Sequence, residues 1–322
     1  MFLRLGCPQH DLLRAARIYR QLHRCLISPP QRFFMNRLLY LLLFFICPGF
    51  AEAQRFYVDA DAFGLNNGQN WTDAFHNLHD ALALANAGDE LWVAEGSYMP
   101  SETGDRSARF QLASGVQLYG GFSGNEFLLE ERQPGSHPSI LNGDIGVPGD
   151  SLDNAYTILY MLNPTAGTVL DGFTFRDALA NDNTALAGAP GASGAALYIM
   201  AMNGQAYPDI RNCVFERNTA KSHGGAVYIN GAGTGSVAPV FEHCLFSGNR
   251  STTANGGAIY RSGGSWLERP NDILDCTFER NYAKRIGGAI YLADSERSDT
   301  IQINHCNFNN NKSDLNTDAV SI

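Results

Sequence analysis

Basic residues are scarce in most of this 322-residue sequence. Residues 54–322 contain 16 Lys and Arg against 30 Asp and Glu, which gives this part a formal charge of −14. Binding to nucleic acid needs a basic face that neutralises phosphates, and anionic membrane surfaces attract basic segments. The charge therefore argues against nucleic acid and against an anionic membrane as partners.

Long hydrophobic runs are also missing, so no transmembrane span is predicted after residue 53. The longest run, residues 38–47, is too short to cross a bilayer. It follows a short positive segment and precedes Ala51 and Ala53, two small residues spaced as in a signal peptidase site. We interpret residues 35–53 as a signal peptide, and the Arg-rich residues 1–34 as either a mis-called gene start or a leader extension. The mature protein is then exported, to the extracellular space or the outer-membrane surface.

Cysteine is sparse, and the copies after residue 53 follow a pattern. Four of the seven cysteines each begin a Cys-x-Phe-x-x-Asn motif, at residues 213–218, 244–249, 276–281 and 306–311. Three of these motifs are followed by Gly-Gly-Ala-Val/Ile-Tyr, at residues 224–228, 256–260 and 287–291. A fixed period of about 31 residues indicates a solenoid.

Regular helices are absent between the strand-like segments, which excludes a doubly wound α/β fold. Short apolar or β-branched runs bounded by turn residues occur at 55–58, 91–94, 115–119, 139–141, 156–160 and 168–170. We predict an all-β fold, a right-handed parallel β-helix, with residues 54–322 forming a single domain. It comprises a cap at 54–90, irregular turns at 91–170 and regular repeats at 170–322. Because the sequence stops within a strand-like segment, we expect that the natural chain continues.

One helix is expected, in the N-terminal cap. Apolar residues at 71, 75, 78, 81, 82 and 85 follow helical spacing, Thr72 or Asp73 can cap the helix, and Gly88 ends it. An amphipathic helix at the open end of a solenoid covers core side chains and unpaired backbone. Residues 179–193, rich in Ala, Gly and Asn, are predicted to form a surface loop.

Equivalent residues of successive coils in a parallel β-helix lie about 4.8 Å apart and form columns. We expect three columns, made of Cys213, Cys244, Cys276 and Cys306, of Phe215, Phe246, Phe278 and Phe308, and of Asn218, Asn249, Asn281 and Asn311. Cys and Phe share the inward face. Asn tolerates the left-handed conformation, so the Asn column is expected to form a corner and to hydrogen-bond along the stack. The Gly-Gly pair allows the next tight corner.

The cysteines, together with His243 and His305, raise the question of zinc. Zinc needs ligands that converge tetrahedrally, and a straight column cannot converge on one ion. Disulfides between neighbouring coils are closer to feasible, since Cα separations of about 4.4–6.8 Å are allowed. We therefore expect buried free thiols and no metal at this column, with disulfides between adjacent coils as the alternative.

The densest group of carboxylates lies in residues 142–154 and includes Asp144, Asp150 and Asp153. We interpret this segment as a solvated, turn-forming loop. Structural Ca²⁺ bound by these three residues is one alternative, because Ca²⁺ prefers carboxylate oxygens, and catalysis is the other. No other cofactor is expected.

Catalytic residues are not assigned. Glu216 and Glu279 share a column, with Arg217 and Arg280 beside them, but the coil between them offers Ser247 instead of a third carboxylate. We interpret these residues as surface charge.

The alternating Phe-x-x-Asn and Gly-Gly-Ala-Ile patterns over roughly residues 170–322 resemble the repeats of the chlamydial polymorphic outer membrane proteins. Residues 119–126, followed by Arg132, are similar to a segment common in exported right-handed parallel β-helix proteins of the pectin-lyase-like superfamily. The resemblance implies a surface location and adhesion. Many such proteins end in a C-terminal sorting domain, and this sequence has none, which fits the expected continuation.

We therefore expect an exported surface or secreted protein that is structural, adhesive or carbohydrate-binding, and monomeric. Its expected partner is a polysaccharide or a host cell-surface glycan, and Trp266 is a candidate contact residue. The alternative function is a polysaccharide lyase or glycoside hydrolase. The fold hosts both, and a hydrolase needs two carboxylates about 5–9.5 Å apart.

Overall fold

Short parallel strands, stacked coil upon coil, build the fold. The computed structural model describes residues 53–202, 204–265, 272–293, 302–315 and 319–321. Within these residues the strands form four parallel sheets, and a full coil passes through sheets A, B, D and C in that order before it returns to sheet A. The prediction of an all-β parallel β-helix is confirmed.

The four sheets are named here by their strands, which are numbered in chain order. Sheet A contains β1 (Arg55–Val58), β2 (Glu90–Ala94), β5 (Gln117–Phe122), β8 (Val169–Asp171), β13 (Asp209–Arg211), β17 (Val240–Glu242), β21 (Asp272–Leu274) and β25 (Gln302–Asn304). Sheet B contains β3 (Gly96–Tyr98), β6 (Ser139–Asn142), β9 (Phe173–Arg176), β14 (Val214–Glu216), β18 (Leu245–Ser247), β22 (Thr277–Glu279) and β26 (Asn307–Asn309).

Sheet C lies on the side of the Gly-Gly-Ala-x-Tyr motifs, and sheet D consists of two-residue strands. Sheet C contains β4 (Phe110–Leu112), β7 (Leu159–Leu162), β11 (Leu197–Met202), β12 (Gln205–Ala206), β16 (Val227–Val237), β20 (Ile259–Ser265), β24 (Ile290–Ala293) and β28 (Val320–Ser321). Sheet D contains β10 (Leu179–Ala180), β15 (Thr219–Ala220), β19 (Arg250–Ser251), β23 (Tyr282–Ala283) and β27 (Lys312–Ser313).

The two corners that flank sheet B are made by residues in the left-handed conformation. Asn212 (φ 50°) precedes Cys213, and Arg217 (φ 55°) precedes Asn218. The same φ sign recurs before the other Cys and Asn residues of the motif, at His243, Gly248, Asp275, Arg280, His305 and Asn310. The expectation that the motif Asn itself adopts this conformation is wrong. The residue before it turns the chain, which leaves the Asn side chain pointing inward.

Stacked phenylalanines form the centre of the core. The ring centroids of Phe215 and Phe246 lie 4.8 Å apart, those of Phe246 and Phe278 lie 4.7 Å apart, and those of Phe278 and Phe308 lie 5.0 Å apart. Phe175 extends the stack into the preceding coil, which lacks the Cys, at 4.9 Å from Phe215. The register of sheet B pairs these residues directly, so the predicted Phe column is present.

The cap contains the helix α1 (Leu78–Leu84), which is shorter than predicted. Its N-cap is Asn77, whose side chain accepts a hydrogen bond from the His79 backbone N–H at 2.8 Å. Leu78, Ala81 and Leu82 are buried in the main core, so the helix covers core side chains as expected.

Residues 71–75 do not belong to the helix because the backbone of Phe75 and the carboxylate of Asp73 form hydrogen bonds with other segments. The backbone of Phe75 donates to Tyr57 O and accepts from Asp59 N, at 2.8 and 2.9 Å, which covers the edge of β1. The Asp73 carboxylate accepts the backbone N–H of Leu65 at 2.8 Å and so closes the preceding loop instead of capping a helix. The prediction of Thr72 or Asp73 as N-cap is wrong.

The remaining segments follow the predicted course with shifted boundaries. The run at 156–160 becomes a strand only from Leu159, and short 3₁₀ helices occur at Leu129–Glu131 and Ser151–Asp153.

In the part of the chain that the structure describes, no helix is long and apolar enough to cross a membrane. Residues 1–52, which include all of the interpreted signal peptide except Ala53, and Trp266 lie outside the described residues.

Candidate functional site

The Asn column is a hydrogen-bonded ladder inside the corner between sheets B and D. The Asn249 Nδ2 donates to Phe215 O at 2.8 Å and to Asn281 Oδ1 at 3.0 Å, while its Oδ1 accepts the backbone N–H of Asn218 at 3.1 Å. Asn218, Asn249 and Asn281 are buried, and Asn311 continues the same pattern. These side chains satisfy backbone groups that the corner leaves unpaired, which is a structural role.

The Cys column lines the corner between sheets A and B. Cys213, Cys244 and Cys276 are buried, Cys306 is half-buried, and all four thiols are free. Burial raises the pKa of the Cys244 thiol well above its ordinary value, which keeps it protonated and unreactive. Among the described residues, no group of three or more His, Cys, Asp or Glu side chains could hold a metal ion.

The predicted Ca²⁺ residues are occupied in closing their own loop. The Asp144 carboxylate accepts the backbone N–H of Gly149 at 2.9 Å, and that of Asp153 accepts the N–H of Val147 at 2.7 Å. Asp150 accepts the N–H of Leu152 at 3.0 Å at the start of the 3₁₀ helix. The segment therefore forms turns, as interpreted, and its carboxylates are oriented by the loop backbone.

The charges along the outer face of sheet B are paired with one another. Arg217 contacts Glu216 at 2.9 Å and Asp177 at 2.9 Å. Glu279 forms an ion pair with Arg280 and accepts a hydrogen bond from Ser247 Oγ at 2.9 Å. Side chains that neutralise each other in this way fit the interpretation as surface charge.

A depression of about 620 Å³ lies where residues 129–135 pass over the corner between sheets A and B. Its main charged groups bind each other: Arg132 contacts Asp171 at 2.7 Å, and Asn212 Nδ2 donates to the same carboxylate at 2.8 Å. Arg132 also donates to Gly120 O at 3.2 Å. These groups fasten the loop to the coils, so they are not free for a ligand.

A second cleft lies beside α1 on the outer side of sheet C. Two depressions of about 440 and 480 Å³ share His79, Arg109 and Gln111 in their walls, and together they form one elongated cleft. Leu82, Tyr160 and Leu162 line one end, while the other end contains polar residues: Asn77, Ser101, Glu102, Thr103, Asp105 and Ser107. We call this surface the N-terminal cleft.

An aromatic ring and a guanidinium meet in the N-terminal cleft. The Arg109 guanidinium carbon lies 4.9 Å from the centroid of the half-buried Tyr160 ring. Among the described residues Arg109 has no carboxylate partner, in contrast to Arg132 and Arg217. Burial raises the pKa of the Tyr160 hydroxyl, and Arg109 partly offsets this, so the hydroxyl is neutral at physiological pH. The Tyr160 hydroxyl donates to Met200 Sδ at 3.3 Å, so the cleft offers a ligand the Arg109 cation, the Tyr160 ring face and phenol oxygen, and the Gln111 amide.

Sequence reasoning missed this cleft, although one signal pointed to it. Tyr160 is in register with Tyr198, and the column continues through Tyr228, Tyr260 and Tyr291, so it extends the motif Tyr into an irregular coil. The insert 179–193 covers the column at Tyr198, whose hydroxyl donates to Gly188 O at 2.6 Å. The Tyr160 ring stacks on that of Tyr198, with 5.7 Å between the ring centroids. Nothing in the sequence singled out Arg109.

Comparison with protein families gives one match. Residues 192–320 match a family described as the right-handed β-helix region. Together with the parallel sheets, the match supports a right-handed coil. No curated protein and no solved structure matches the chain.

Proposed function

We propose that the protein is an exported surface or secreted β-helix that binds an extended saccharide in the N-terminal cleft and does not degrade it. The observation that carries the proposal is the pairing of Arg109 with Tyr160 in an open, elongated cleft. In this proposal the stacked coils stabilise the domain, and the N-terminal cleft of the same domain binds the ligand.

The chemistry of the cleft suits a sugar chain. Aromatic side chains present an apolar body with a polar tip, and pockets combine apolar walls with a few placed polar groups. Tyr160, Leu82 and Leu162 can cover the apolar face of a sugar ring, while Arg109 and Gln111 can bind its oxygens. The polar second half of the cleft offers further donors and acceptors to a neighbouring unit.

Export and adhesion are supported by the sequence. The apolar run at 38–47 followed by Ala51 and Ala53 is typical of a signal peptide, and the acidic charge of residues 54–322 suits an exported soluble domain. The resemblance of the repeats to those of the polymorphic outer membrane proteins supports a role at a surface.

Binding of the full-length chain to a panel of neutral and acidic polysaccharides tests the proposal. We expect binding that Arg109→Gln and Tyr160→Ala each weaken by about tenfold or more, equal to about 1.4 kcal/mol of binding free energy. Arg250→Gln and Tyr282→Ala are matched controls, because Arg250 lies 4.7 Å from the Tyr282 ring on sheet D, outside the cleft. Loss of binding in the controls, or no binding to any polysaccharide, would contradict the proposal.

The enzymatic alternative is decided by the same panel. Products are monitored with and without Ca²⁺, by reducing-end release for a hydrolase and by unsaturated ends for a lyase. Release of products from any polysaccharide would assign the protein to a degrading class, and the binding-only proposal would then be wrong.

A further inference from the structure

Four large apolar side chains are exposed to solvent on two loops of the first coils. Phe63 and Leu65, in the loop after β1, are 88% and 76% exposed. Phe127 and Leu128, in the loop after β5, are 83% and 59% exposed. In the part of the chain that the structure describes, no other phenylalanine is exposed. A contiguous exposed apolar patch on a protein surface marks an interaction site, so the relation between the two loops decides what they can do.

The two loops are bound to the same short segment of the chain. The backbone N–H of Gly64, which lies between the two apolar residues of the first loop, donates to Thr72 O at 2.9 Å. The preceding residue, Trp71, donates its Nε1–H to Glu126 O at 2.9 Å, directly before the two apolar residues of the second loop. Both apolar pairs therefore adjoin Trp71 and Thr72 and belong to one surface.

This surface is rigid and partly aromatic. The half-buried rings of Tyr57 and Trp71 pack edge to face, with 4.8 Å between their centroids. The Glu131 carboxylate accepts the backbone N–H groups of Phe127 and Leu128 at 2.8 and 3.0 Å, which fixes the second loop. Aromatic anchors supply much of the binding energy at protein interfaces, and a loop that is already ordered loses little conformational entropy on binding.

The same surface is negatively charged. Residues 59–73 contain three Asp, residues 123–131 contain three Glu, and neither range contains Lys or Arg. Within the described ranges none of these six carboxylates has an ion-pair partner, in contrast to the paired charges along sheet B. We call the surface formed by these two ranges the N-terminal patch.

We propose that the N-terminal patch binds a protein partner whose surface combines apolar side chains with Lys and Arg. Such an interface has apolar anchors at its centre, and complementary charges around them favour the correct partner and speed its association. An anionic membrane does not fit, because the six carboxylates would be repelled by its headgroups. The patch shares no residue with the walls of the N-terminal cleft, so the proposal does not rest on saccharide binding.

Titration of the full-length chain with two labelled synthetic peptides tests the patch. Both peptides are amphipathic with Leu on one face, and the other face carries Lys in one peptide and Glu in the other. We expect the Lys–Leu peptide to bind at least about tenfold more tightly than the Glu–Leu peptide, and to bind more weakly as salt is added. Phe63→Ser and Phe127→Ser should each weaken its binding by about tenfold or more. Glu130→Gln, which removes one exposed charge, should weaken it by about threefold.

Leu152→Ser and Leu186→Ser are matched controls, because these leucines are 70% and 81% exposed on loops outside the patch. Both control variants should bind the Lys–Leu peptide as the unchanged protein does. All the substituted positions are exposed, so every variant should keep the Tm of the unchanged protein within a few degrees, and a loss of binding then reports on the surface itself.

Three results of the titration would overturn the proposal: no binding of the Lys–Leu peptide, equal binding of the Glu–Leu peptide, or equal losses in the two control variants. Sedimentation and vesicle binding identify other occupants. A dimer that Phe127→Ser dissociates would show that a second copy of the chain covers the patch. Binding to anionic vesicles that Phe63→Ser abolishes would show that a lipid surface does. Either result would also overturn the proposal.

Discussion

At the scale of single residues, position within the coil changes the chemistry of a side chain. His223 precedes the Gly-Gly pair, and its ring lies 4.1 Å from that of Tyr260. Burial, and to a lesser degree the positive charge of Arg285, lower the pKa of His223 from 6.5 to about 4. A histidine that the sequence presents as a corner residue is therefore neutral in the folded protein.

This pKa makes stability depend on pH. The folded state binds fewer protons than the unfolded state between about pH 4 and 6.5, so the contribution of His223 is complete above pH 6.5 and is lost as the pH falls towards 4. We expect His223→Asn, which places the residue of the next coil there, to lose less Tm between pH 7 and pH 4.5 than the unchanged protein. His76→Asn, at an exposed histidine, is the control and should keep the original pH profile. An unaltered profile in His223→Asn would show that burial does not shift its pKa.

At the scale of the elements, glycine is required at two corners of the coil for different physical reasons. At Gly225 an added Cβ would lie 2.2 Å from Gly257 O, so the second glycine of the pair is required by the close approach of the next coil. At Gly248 nothing lies within 4 Å, and its φ of 66° is matched at the equivalent Asn310, whose φ is 54°. Gly248 is therefore required only for its conformation.

Two substitutions test separately the steric requirement at Gly225 and the conformational requirement at Gly248. Gly225→Ala should lower the free energy of unfolding by about 3 kcal/mol or more, at the upper end of overpacking costs. Gly248→Asn should change it by less than about 0.5 kcal/mol, because Asn accepts the left-handed conformation and the site is open. Urea denaturation monitored by circular dichroism measures both. Similar losses in the two variants would contradict this account of the corners.

At the scale of the whole molecule, the described coils contact mainly their neighbours. Phe246 stacks on Phe215 and Phe278 and pairs with them in sheet B, while α1 packs against β1, β2 and β4 at the other end. A solenoid of this kind gains its stability from each coil and from adjacent interfaces. A defect in the middle is therefore expected to weaken neighbouring coils first.

Phe246→Ala tests this expectation. Truncating a fully buried phenylalanine should cost about 3–5 kcal/mol of unfolding free energy. Hydrogen exchange should accelerate most in β14, β18 and β22, and the change in α1 should be smaller. Leu245→Ala, at the neighbouring outward-facing position, is the control and should have a small effect. Uniform acceleration along the whole chain would indicate one cooperative unit instead.

Much of the fold could be read from the sequence because a β-helix repeats its contacts. The 31-residue period places Phe215, Phe246 and Phe278 in register, and successive coils of a β-helix bury them at the spacing of paired strands. Helix limits were less predictable: the spacing from Trp71 suited a helix, but the edge of β1 needed the backbone of Phe75.

The sequence by itself thus determined the coil, its columns and its acidic surface, because these depend on local pattern and composition. Only the tertiary structure decided which charges remain unpaired. In the structure Arg132 forms an ion pair with Asp171, whereas Arg109 lies against the Tyr160 ring. Side-chain oxygens of Asp144, Asp153 and Asn154 have no donor among the described residues. Whether two charged side chains pair depends on the distance between residues in different coils. The repeat period determines these distances for residues in the strands, but it does not determine them for residues in the loops.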